Sequence, residues 1–423
     1  MTWLTSRGSL GAGSLALATA LVLAGCTSTS PEATPSGTLS PTSSSVGDLT
    51  SSNDPLTLLI ASSGDSETKS VEAAVAAWSA KTGVQATVEV ASDLAQQLAQ
   101  GFAAGSPPDL FYMSPDALAG FASNGSLKAY GDFLTNKRDF YPALVDNFTV
   151  DGNFYCAPKD FSTLALVINT DMWSAAGLTD ADIPKTWDDL DAVSAKLTAN
   201  GHVGLAFGPQ FERIGVFTAE AGGGLVVDGK AAVNSDANLT ALKYVQSHLQ
   251  DGTFAYSSDI GAGWGGEAFG KQLAAMVIEG NWITGFMTND FPDVNFRVAE
   301  LPAGPGGKGT LQYTNCWGMS ADSPNQKAAL DLVEYLTAPE QQLTFSAEFG
   351  PMPSIASAAD AWTVANPTLA AFLAGALYAQ YLPSQAGAGD VIADLNSQLE
   401  SLKDGDPGAI LDAEQANLQA VVG

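Results

Sequence analysis

The chain has 423 residues, of which 45 are Asp or Glu and 17 are Lys or Arg, so its formal net charge at pH 7 is −28. Such an acidic surface repels nucleic acid and anionic lipid, because neutralising phosphates requires clustered Lys and Arg. The chain is also longer than a single hydrophobic core normally supports, which favours two lobes. Neutral or cationic small molecules and other proteins remain as partners.

The first 25 residues have the pattern of a signal peptide. Arg7 is their only basic residue, and the apolar stretch 15–23 is shorter than the roughly 20 residues that a membrane span needs. Leu-Ala-Gly-Cys at positions 23–26 resembles the lipobox of bacterial lipoproteins, in which the Cys is acylated and becomes the first residue of the mature chain. Lipidation is therefore expected at Cys26, and a plain secretory signal with an incidental Cys is the alternative.

Residues 26–53 are predicted to form a lipidated, disordered tether. They are rich in Ser, Thr and Pro and contain few large apolar residues, so they cannot bury enough surface to fold. Removal of residues 1–25 takes away Arg7 and no acid, which leaves 16 basic and 45 acidic residues and a net charge of −29.

The next 60 or so residues alternate between strand and helix patterns. The successive segments are an apolar run at 56–61, a helical stretch ending at Gly83, an alternating run at 84–90, a helical stretch at 93–104 and an apolar run at 110–113. This order predicts a doubly wound α/β lobe, whose ligands bind beyond the carboxyl ends of its strands. Asp65 and Asp116 stand just past two of those ends.

Farther along the chain, helices begin at recognisable caps. Thr186 and Asp189 have the spacing of a capping box, and further helices are expected after residues 323–324 and from Pro339. Asp188 and Asp189 could be a catalytic carboxylate pair, but the positive end of the helix dipole explains them without chemistry.

The glycine-rich segment 261–266 matches a dinucleotide-binding fingerprint, and its continuation almost matches a phosphate loop. No buried strand precedes it, and Gln272 replaces the Ser or Thr that a phosphate loop needs for magnesium, so we interpret it as a flexible loop presenting Trp264. His202 and His248 are the only histidines and Cys residues are few, so no metal site or cofactor is expected. A carboxylate pair of a glycosidase stays open as an alternative.

Residues 155–173 and 184–190 resemble the crossover region of extracellular solute-binding proteins of the sugar-binding type. These are the ligand receptors of ABC importers and include maltose-binding-protein-like lipoproteins. The family pattern is a Tyr-Gly-Leu-Pro-like turn, a hydrophobic strand ending in Asn-x-Asp, and then Pro-x-Thr-Trp-Asp-Glu-Leu. Here Cys156 replaces the Gly and Asp189 replaces the Glu. Further resemblances follow in order at 270–282, 301–308, 336–340, 350–353 and 399–402.

The resemblance implies an α/β fold of two doubly wound lobes joined by a multi-strand hinge, the type II periplasmic binding protein fold, which closes over its ligand. The implied segments are 54–157 plus 319–360 for the first lobe, 161–314 plus 361–423 for the second lobe, and 158–163 plus 315–318 for the hinge. Cys156 and Cys316 would lie on adjacent strands that lead between the lobes and could form a disulfide in an exported compartment. Two buried free thiols are the alternative.

By the same resemblance, the protein is a monomeric, non-enzymatic receptor, anchored outside the cytoplasmic membrane, that passes a carbohydrate to a permease. Sugar hydroxyls need donors and acceptors, and flat C–H faces suit aromatic planes. The candidate ligand-binding residues are Asp65, Asp116, Lys159, Asp160, Trp264, Asn281, Trp282, Trp317 and Gln385. Residues 385–390 lack the aromatic that often completes the sugar platform, which favours a ligand other than a long malto-oligosaccharide. A peptide or polyamine ligand is the nearest alternative.

Overall fold

In the computed structural model of the protein, residues 48–62, 64–200 and 202–422 are described. The predicted signal peptide, Cys26 and the predicted tether up to residue 47 lie outside these residues. The last part of the predicted tether is ordered: Thr50 donates from its Oγ1 to the Ser323 carbonyl at 2.7 Å and from its backbone N–H to Gln326 Oε1 at 3.2 Å. Thr50, which composition had placed in the tether, is therefore attached to the start of the helix Gln326–Leu336.

The strands of the described residues are, in chain order, β1 (Leu56–Ile60), β2 (Ala86–Val90), β3 (Leu110–Met113), β4 (Thr149–Val150), β5 (Asn153–Phe154), β6 (Ala157–Pro158), β7 (Ser162–Asn169), β8 (Val203–Phe207), β9 (Val226–Val227), β10 (Lys230–Ala231), β11 (Phe254–Tyr256), β12 (Ala274–Gly280), β13 (Phe296–Ala299), β14 (Thr310–Tyr313), β15 (Cys316–Met319) and β16 (Ala379–Gln380). The α-helices are α1 (Asp65–Thr82), α2 (Leu94–Ala103), α3 (Pro115–Ser123), α4 (Pro142–Asn147), α5 (Thr170–Ala175), α6 (Trp187–Ala199), α7 (Phe211–Glu220), α8 (Asp236–Asp251), α9 (Gly265–Gly270), α10 (Trp282–Asp290), α11 (Gln326–Leu336), α12 (Pro339–Phe349), α13 (Ala359–Ala365), α14 (Ala370–Gly375), α15 (Ala388–Leu399) and α16 (Pro407–Val422).

The first sheet has the strand order β2-β1-β3-β15-β6. β1 is parallel to β2 and β3, and β15 is antiparallel to β3 and β6. The predicted succession of strand, helix, strand, helix, strand is confirmed by β1, α1, β2, α2 and β3. Buried Trp78 of α1 donates its indole N–H to Asp331 of α11 at 2.7 Å, which ties the early helices to a segment 253 residues later.

The second sheet has the order β11-β8-β12-β7-β14-β16, with β13 also paired to β7. All eight residues of β7 are buried because helices cover both faces of the sheet. Leu164, Leu166 and Ile168 enter the core on one face, and Ala165 and Val167 enter the core on the other, as the two-residue period of a strand requires. Because both faces of β7 are buried, its sequence is a nearly continuous apolar run and does not alternate with polar residues.

The two sheets are joined by extended segments that pair with one another. Lys159, between β6 and β7, donates its backbone N–H to the carbonyl of Asn315, between β14 and β15, at 2.8 Å. Cys156 and Cys316 are joined by a disulfide with Cα atoms 5.6 Å apart, the pairing that the family resemblance implies. Met352 forms a third crossing by exchanging backbone hydrogen bonds with Phe161. Among the described helices, none combines the length and apolarity needed to cross a bilayer.

Candidate functional site

A cleft of about 950 Å³ opens between the two sheets. On one side it is lined by residues that directly follow β1 and β3, which are the strand ends where a doubly wound lobe binds its ligands. On the other side it is lined by the end of β12, by β14 and by α10, and the hinge strands form its floor. Both lobes therefore contribute to one cavity large enough for a small ligand.

Six of the nine candidate ligand-binding residues line this cleft: Asp65, Asp116, Lys159, Asp160, Asn281 and Trp282. Asp65 and Asp116 lie in the first turns of α1 and α3 and are exposed. A Cβ atom on Gly389 of α15 would lie 3.8 Å from Asp116 Oδ2, so the tail helix approaches the first lobe at this point. Gly389 and Asp116 therefore face each other across the cleft lining.

The structure places the other three candidates outside the cleft lining. Trp317 is 4% exposed and packs edge-to-face on Tyr112 in the core of the first lobe, because β15 is an interior strand. Trp264 is not presented by a flexible loop: it precedes α9 and packs on Phe286, with ring centroids 4.8 Å apart. Gln385 lies in the turn before α15, where its carbonyl accepts from the Ala388 N–H at 2.9 Å.

Lys159 and Asp160 form a buried ionic cluster with Glu67 at the cleft floor. Lys159 Nζ contacts Glu67 Oε1 at 3.1 Å and also contacts Asp160 Oδ2, and it lies 4.5 Å from the ring centroid of Tyr112. The ammonium is therefore engaged by protein carboxylates and is not an open donor for a ligand. Two carboxylates against one ammonium leave a formal charge of −1, which suits acceptance of hydroxyl donors.

The same burial governs the titration of this cluster. Burial raises the pKa of Asp160 and outweighs the opposite effect of Lys159, and Glu67 raises it further. Burial alone would lower the pKa of Lys159, but Asp160 and Glu67 together raise it above its ordinary value. The lysine therefore stays charged and holds α1 against the hinge.

Asn281 is a structural link as well as a cleft residue. It is 1% exposed, its backbone N–H donates to Ser162 Oγ at 3.0 Å, and its side-chain amide donates to the Gly350 carbonyl at 2.9 Å. These bonds connect the end of β12 to the start of β7 and to the residue that ends α12. The neighbouring Trp282 is consequently attached to a well-anchored backbone.

Trp282 is surrounded by three side chains that we call the Trp282 support: Arg213, Glu279 and Tyr313. The indole N–H donates to Glu279 Oε2 at 3.0 Å, and Arg213 Nη2 contacts the same oxygen at 2.9 Å. The guanidinium carbon lies over the indole at 5.3 Å, and Tyr313 meets the ring edge-to-face at 5.8 Å. This geometry leaves Trp282 as an oriented aromatic surface in the cleft wall.

Several cleft residues were missed by the sequence analysis. They include Glu67, Asn147, Glu212, Gln312, Tyr313 and Tyr381. Tyr381 is 42% exposed and supplies an aromatic from the segment before 385–390, where the sequence pattern lacked one. Glu67 could have been found from its place in the same first helical turn as Asp65, whereas Tyr381 had no local signal.

Two of these missed residues carry polar atoms without a hydrogen-bond partner among the described residues, Asn147 Oδ1 and Gln312 Nε2. Both residues are at least 96% buried and line the cleft. A buried polar group without a partner costs about 1–3 kcal/mol. Ligand hydroxyls that reach either amide would remove part of that cost. No group of His, Cys, Asp or Glu side chains in the described ranges is arranged to hold a metal ion.

Comparison with known proteins agrees with this architecture. The family model for bacterial extracellular solute-binding proteins matches residues 64–343. A putative binding protein of Brucella abortus is 27% identical over 349 residues, which cover 78% of this chain and 83% of that protein. A probable ABC transporter-binding protein of Deinococcus radiodurans is 31% identical over 243 residues, covering 51% of this chain and 55% of that protein.

Solved structures show the same two-lobed fold. The cyclic α-maltosyl-1,6-maltose binding protein of Arthrobacter globiformis aligns with a TM-score of 0.78 at 22% sequence identity, covering 87% of this chain and 98% of that one. At this identity the likeness establishes the fold and leaves the ligand to be argued from the cleft.

Proposed function

The chain belongs to the bacterial extracellular solute-binding protein family, and we propose that it captures a sugar or oligosaccharide between its lobes for import by an ABC transporter. Members of this family are binding proteins, so capture and release without turnover is the expected activity. The Arthrobacter globiformis neighbour binds a cyclic oligosaccharide, and the Deinococcus radiodurans relative is named for an ABC transporter. Both names are consistent with this proposal.

The observation that carries the sugar proposal is the oriented Trp282 beside polar groups in one cleft. A pyranose ring presents a C–H face that can lie on an indole and hydroxyls at its edge that need partners. Trp282 lines the same cavity as Asn147, Gln312 and the buried cluster of Glu67, Lys159 and Asp160. The arrangement therefore offers an apolar plane and hydrogen-bonding groups to a single small ligand.

A cationic ligand is the second candidate, because the cleft is acidic. Among its described lining residues, six are Asp or Glu and one is Lys. A polyamine or a basic peptide would be attracted by this imbalance, whereas a neutral sugar would use the same oxygens as hydrogen-bond acceptors. The two ligand classes therefore predict different salt dependence of binding, which is strong for the cation and weak for the sugar.

The binding test is a thermal-unfolding screen of the purified chain with mono- and oligosaccharides, spermidine and short basic peptides. A cognate sugar at 100 times its Kd should stabilise the native state by about 2.7 kcal/mol and raise the unfolding temperature. Calorimetric titration at two salt concentrations should then give a Kd that changes little. No shift with any sugar, together with a salt-sensitive shift with spermidine, would replace the sugar proposal. Release of product from a chromogenic glycoside would instead identify a glycosidase.

We further propose that acylated Cys26 and the following arm anchor the receptor outside the cytoplasmic membrane, beside its permease. The lipobox-like segment at 23–26 and the Ser/Thr/Pro composition up to about residue 47 support this. Cys26→Ser should move the protein from the membrane fraction to the medium without changing the ligand Kd of the folded domain. Retention of the variant in washed membranes would contradict anchoring through this residue.

A further inference from the structure

On the basis of the proposed sugar-binding function, we propose that Arg213 and Glu279 are positioning residues for Trp282. Neither is among the residues that line the cleft, so they act through the indole and not by touching the ligand. They hold the Trp282 ring in the orientation that a sugar face meets on entry. The proposal assigns a ligand-affinity role to an ion pair that lies behind the cleft wall.

One oxygen of the Glu279 carboxylate contacts both the Trp282 indole N–H and the Arg213 guanidinium. Trp282 Nε1 donates to Glu279 Oε2 at 3.0 Å, and Arg213 Nη2 reaches the same atom at 2.9 Å. Rotation of the indole away from this position would break a hydrogen bond to a charged acceptor that is 1% exposed. Such bonds are stronger than neutral ones and expensive to leave unmade when buried, so the ring is restrained.

Arg213 also covers one face of the indole. Its guanidinium carbon lies 5.3 Å from the ring centroid, within the range of a cation–π contact. Burial alone would lower the pKa of Arg213, but Glu279 raises it, so the guanidinium keeps its charge. Gly280 also packs against the six-membered ring, since a Cβ atom there would lie 2.3 Å from Trp282 Cζ3. With Arg213, Tyr313 and Gly280 against it, the indole is held on the protein side, and its remaining surface lines the cleft.

The glycine-rich segment 261–266 contacts the same group of side chains through Gly265. A Cβ atom on Gly265 would lie 2.5 Å from Glu279 Oε1, closer than real Cβ contacts allow. Because Glu279 Oε2 is held by Trp282 and Arg213, the carboxylate cannot move aside without disturbing them. Gly265 therefore leaves the space that Glu279 occupies.

The central experiment compares Glu279→Gln with Glu220→Gln by calorimetric titration of the sugar identified in the screen. Gln at 279 keeps an oxygen for the indole N–H but removes the charge that attracts Arg213. Ordering a loosened side chain on binding should weaken the Kd roughly 3- to 10-fold. Glu220 is a matched control, because it is buried and accepts from the Trp187 indole at 2.6 Å outside the cleft, so its variant should keep the parent Kd.

A double-mutant cycle separates positioning from general damage. In a Trp282→Ala background, Glu279→Gln should produce no further loss of affinity, since its effect passes through the missing indole. Fluorine NMR of the chain labelled with 5-fluorotryptophan adds a direct readout. The Trp282 resonance, identified by its absence in Trp282→Phe, should shift and broaden in Glu279→Gln and remain unchanged in Glu220→Gln.

The outcomes are distinct. An unchanged Kd and an unchanged Trp282 resonance in folded Glu279→Gln would overturn the proposal, as would an equal loss of affinity in the Trp282→Ala background. If Glu279→Gln does not fold, Gly265→Ala and Arg213→Lys take its place in the same cycle. If the parent binds no sugar, the proposed function fails, while the resonance of the ligand-free chain still decides whether Arg213 and Glu279 position the ring.

Discussion

The second lobe contains two Trp–Glu pairs with different surroundings. Trp187 donates to Glu220 at 2.6 Å and stacks on Tyr244 at 4.1 Å between ring centroids, and both residues of the pair are buried in the core. Trp282 donates its indole N–H to Glu279 at 3.0 Å, and the Glu279 carboxylate also contacts Arg213. The Trp282 ring lines the cleft. The same two residue types therefore serve packing in one place and ligand access in the other.

The two pairs differ in whether the glutamate carboxyl group has a cationic partner. Glu220 has no cationic partner among its described contacts, its Oε1 has no hydrogen-bond partner, and burial raises its pKa well above the ordinary value despite the bond from Trp187. Glu279 is paired with a guanidinium. A core can keep a carboxyl group by protonating it, whereas an ion pair keeps a charged acceptor beside the binding surface.

The largest effect on stability is expected from the core pair. Trp187→Ala removes a ring that packs on both Tyr244 and Phe217, so it should lower the free energy of unfolding by about 3–5 kcal/mol. The folded fraction should bind sugar with the parent Kd. Urea denaturation and titration on the same preparation test both statements. A matching loss of affinity in fully folded protein would remove the distinction between the pairs.

Trp282→Ala should show the reverse pattern. The loss of the aromatic surface should weaken the sugar Kd by about 30-fold, or roughly 2 kcal/mol, because buried aromatics dominate binding energy. The ligand-free unfolding temperature should fall less than in Trp187→Ala, since Trp282 is only partly buried. Calorimetric titration and thermal unfolding are the measurements. Equal damage to stability and affinity would mark Trp282 as a packing residue.

The variant Glu220→Gln tests whether the core carboxyl group is protonated, through the pH dependence of the free energy of unfolding. Because the folded pKa of Glu220 is raised, the unfolded chain loses this proton first as pH rises above about 4.5. The free energy of unfolding of the parent should therefore fall relative to the variant, by at most about 1.4 kcal/mol per pH unit, until pH reaches the folded pKa. Urea unfolding of both proteins from pH 4.5 to 8 measures the difference. A pH-independent difference would show that Glu220 is ionised when folded.

The smallest effect is expected from Tyr313→Phe. The change keeps the ring that meets Trp282 edge-to-face and removes the hydroxyl that donates to the Glu212 carbonyl at 2.6 Å. Loss of one such bond should lower the free energy of unfolding by about 1 kcal/mol, and because the Tyr313 ring stays in place the Kd should change by about fivefold or less. Tyr244→Phe, which removes the hydroxyl beside Trp187, is the control and should leave the Kd unchanged. A loss in Tyr313→Phe as large as in Trp282→Ala would mean that the hydroxyl itself contacts the sugar.

Local patterns predicted much of the fold. The alternating apolar segments of residues 56–113 became strands and helices at nearly the expected bounds, and the capping box of Thr186 and Asp189 is present. These features depend on neighbours within a few residues, so periodicity and cap chemistry are sufficient to find them.

The candidate site was predictable where it follows strand ends. Asp65 and Asp116 were expected near the ligand because they come directly after β1 and β3, and both line the cleft. Trp264 and Trp317 were chosen as aromatics near hinge and loop motifs, but residue type does not reveal which side of a strand or helix faces the ligand. The partners Arg213 and Glu279 are 66 residues apart, so no local pattern connects them.

By itself, the sequence determined the alternation of strands and helices, the acidic character, and the positions of the two hinge cysteines, because these are properties of short segments and of composition. Only the tertiary structure decided which carboxylates are engaged by cations, which indole reaches the cleft and which serves the core. Those outcomes depend on contacts between distant segments: Arg213 with Glu279 behind Trp282, and Glu67 with Lys159 at the hinge. Pairing and burial across the fold, and not residue type, separate a packing tryptophan from a tryptophan that is open to a ligand.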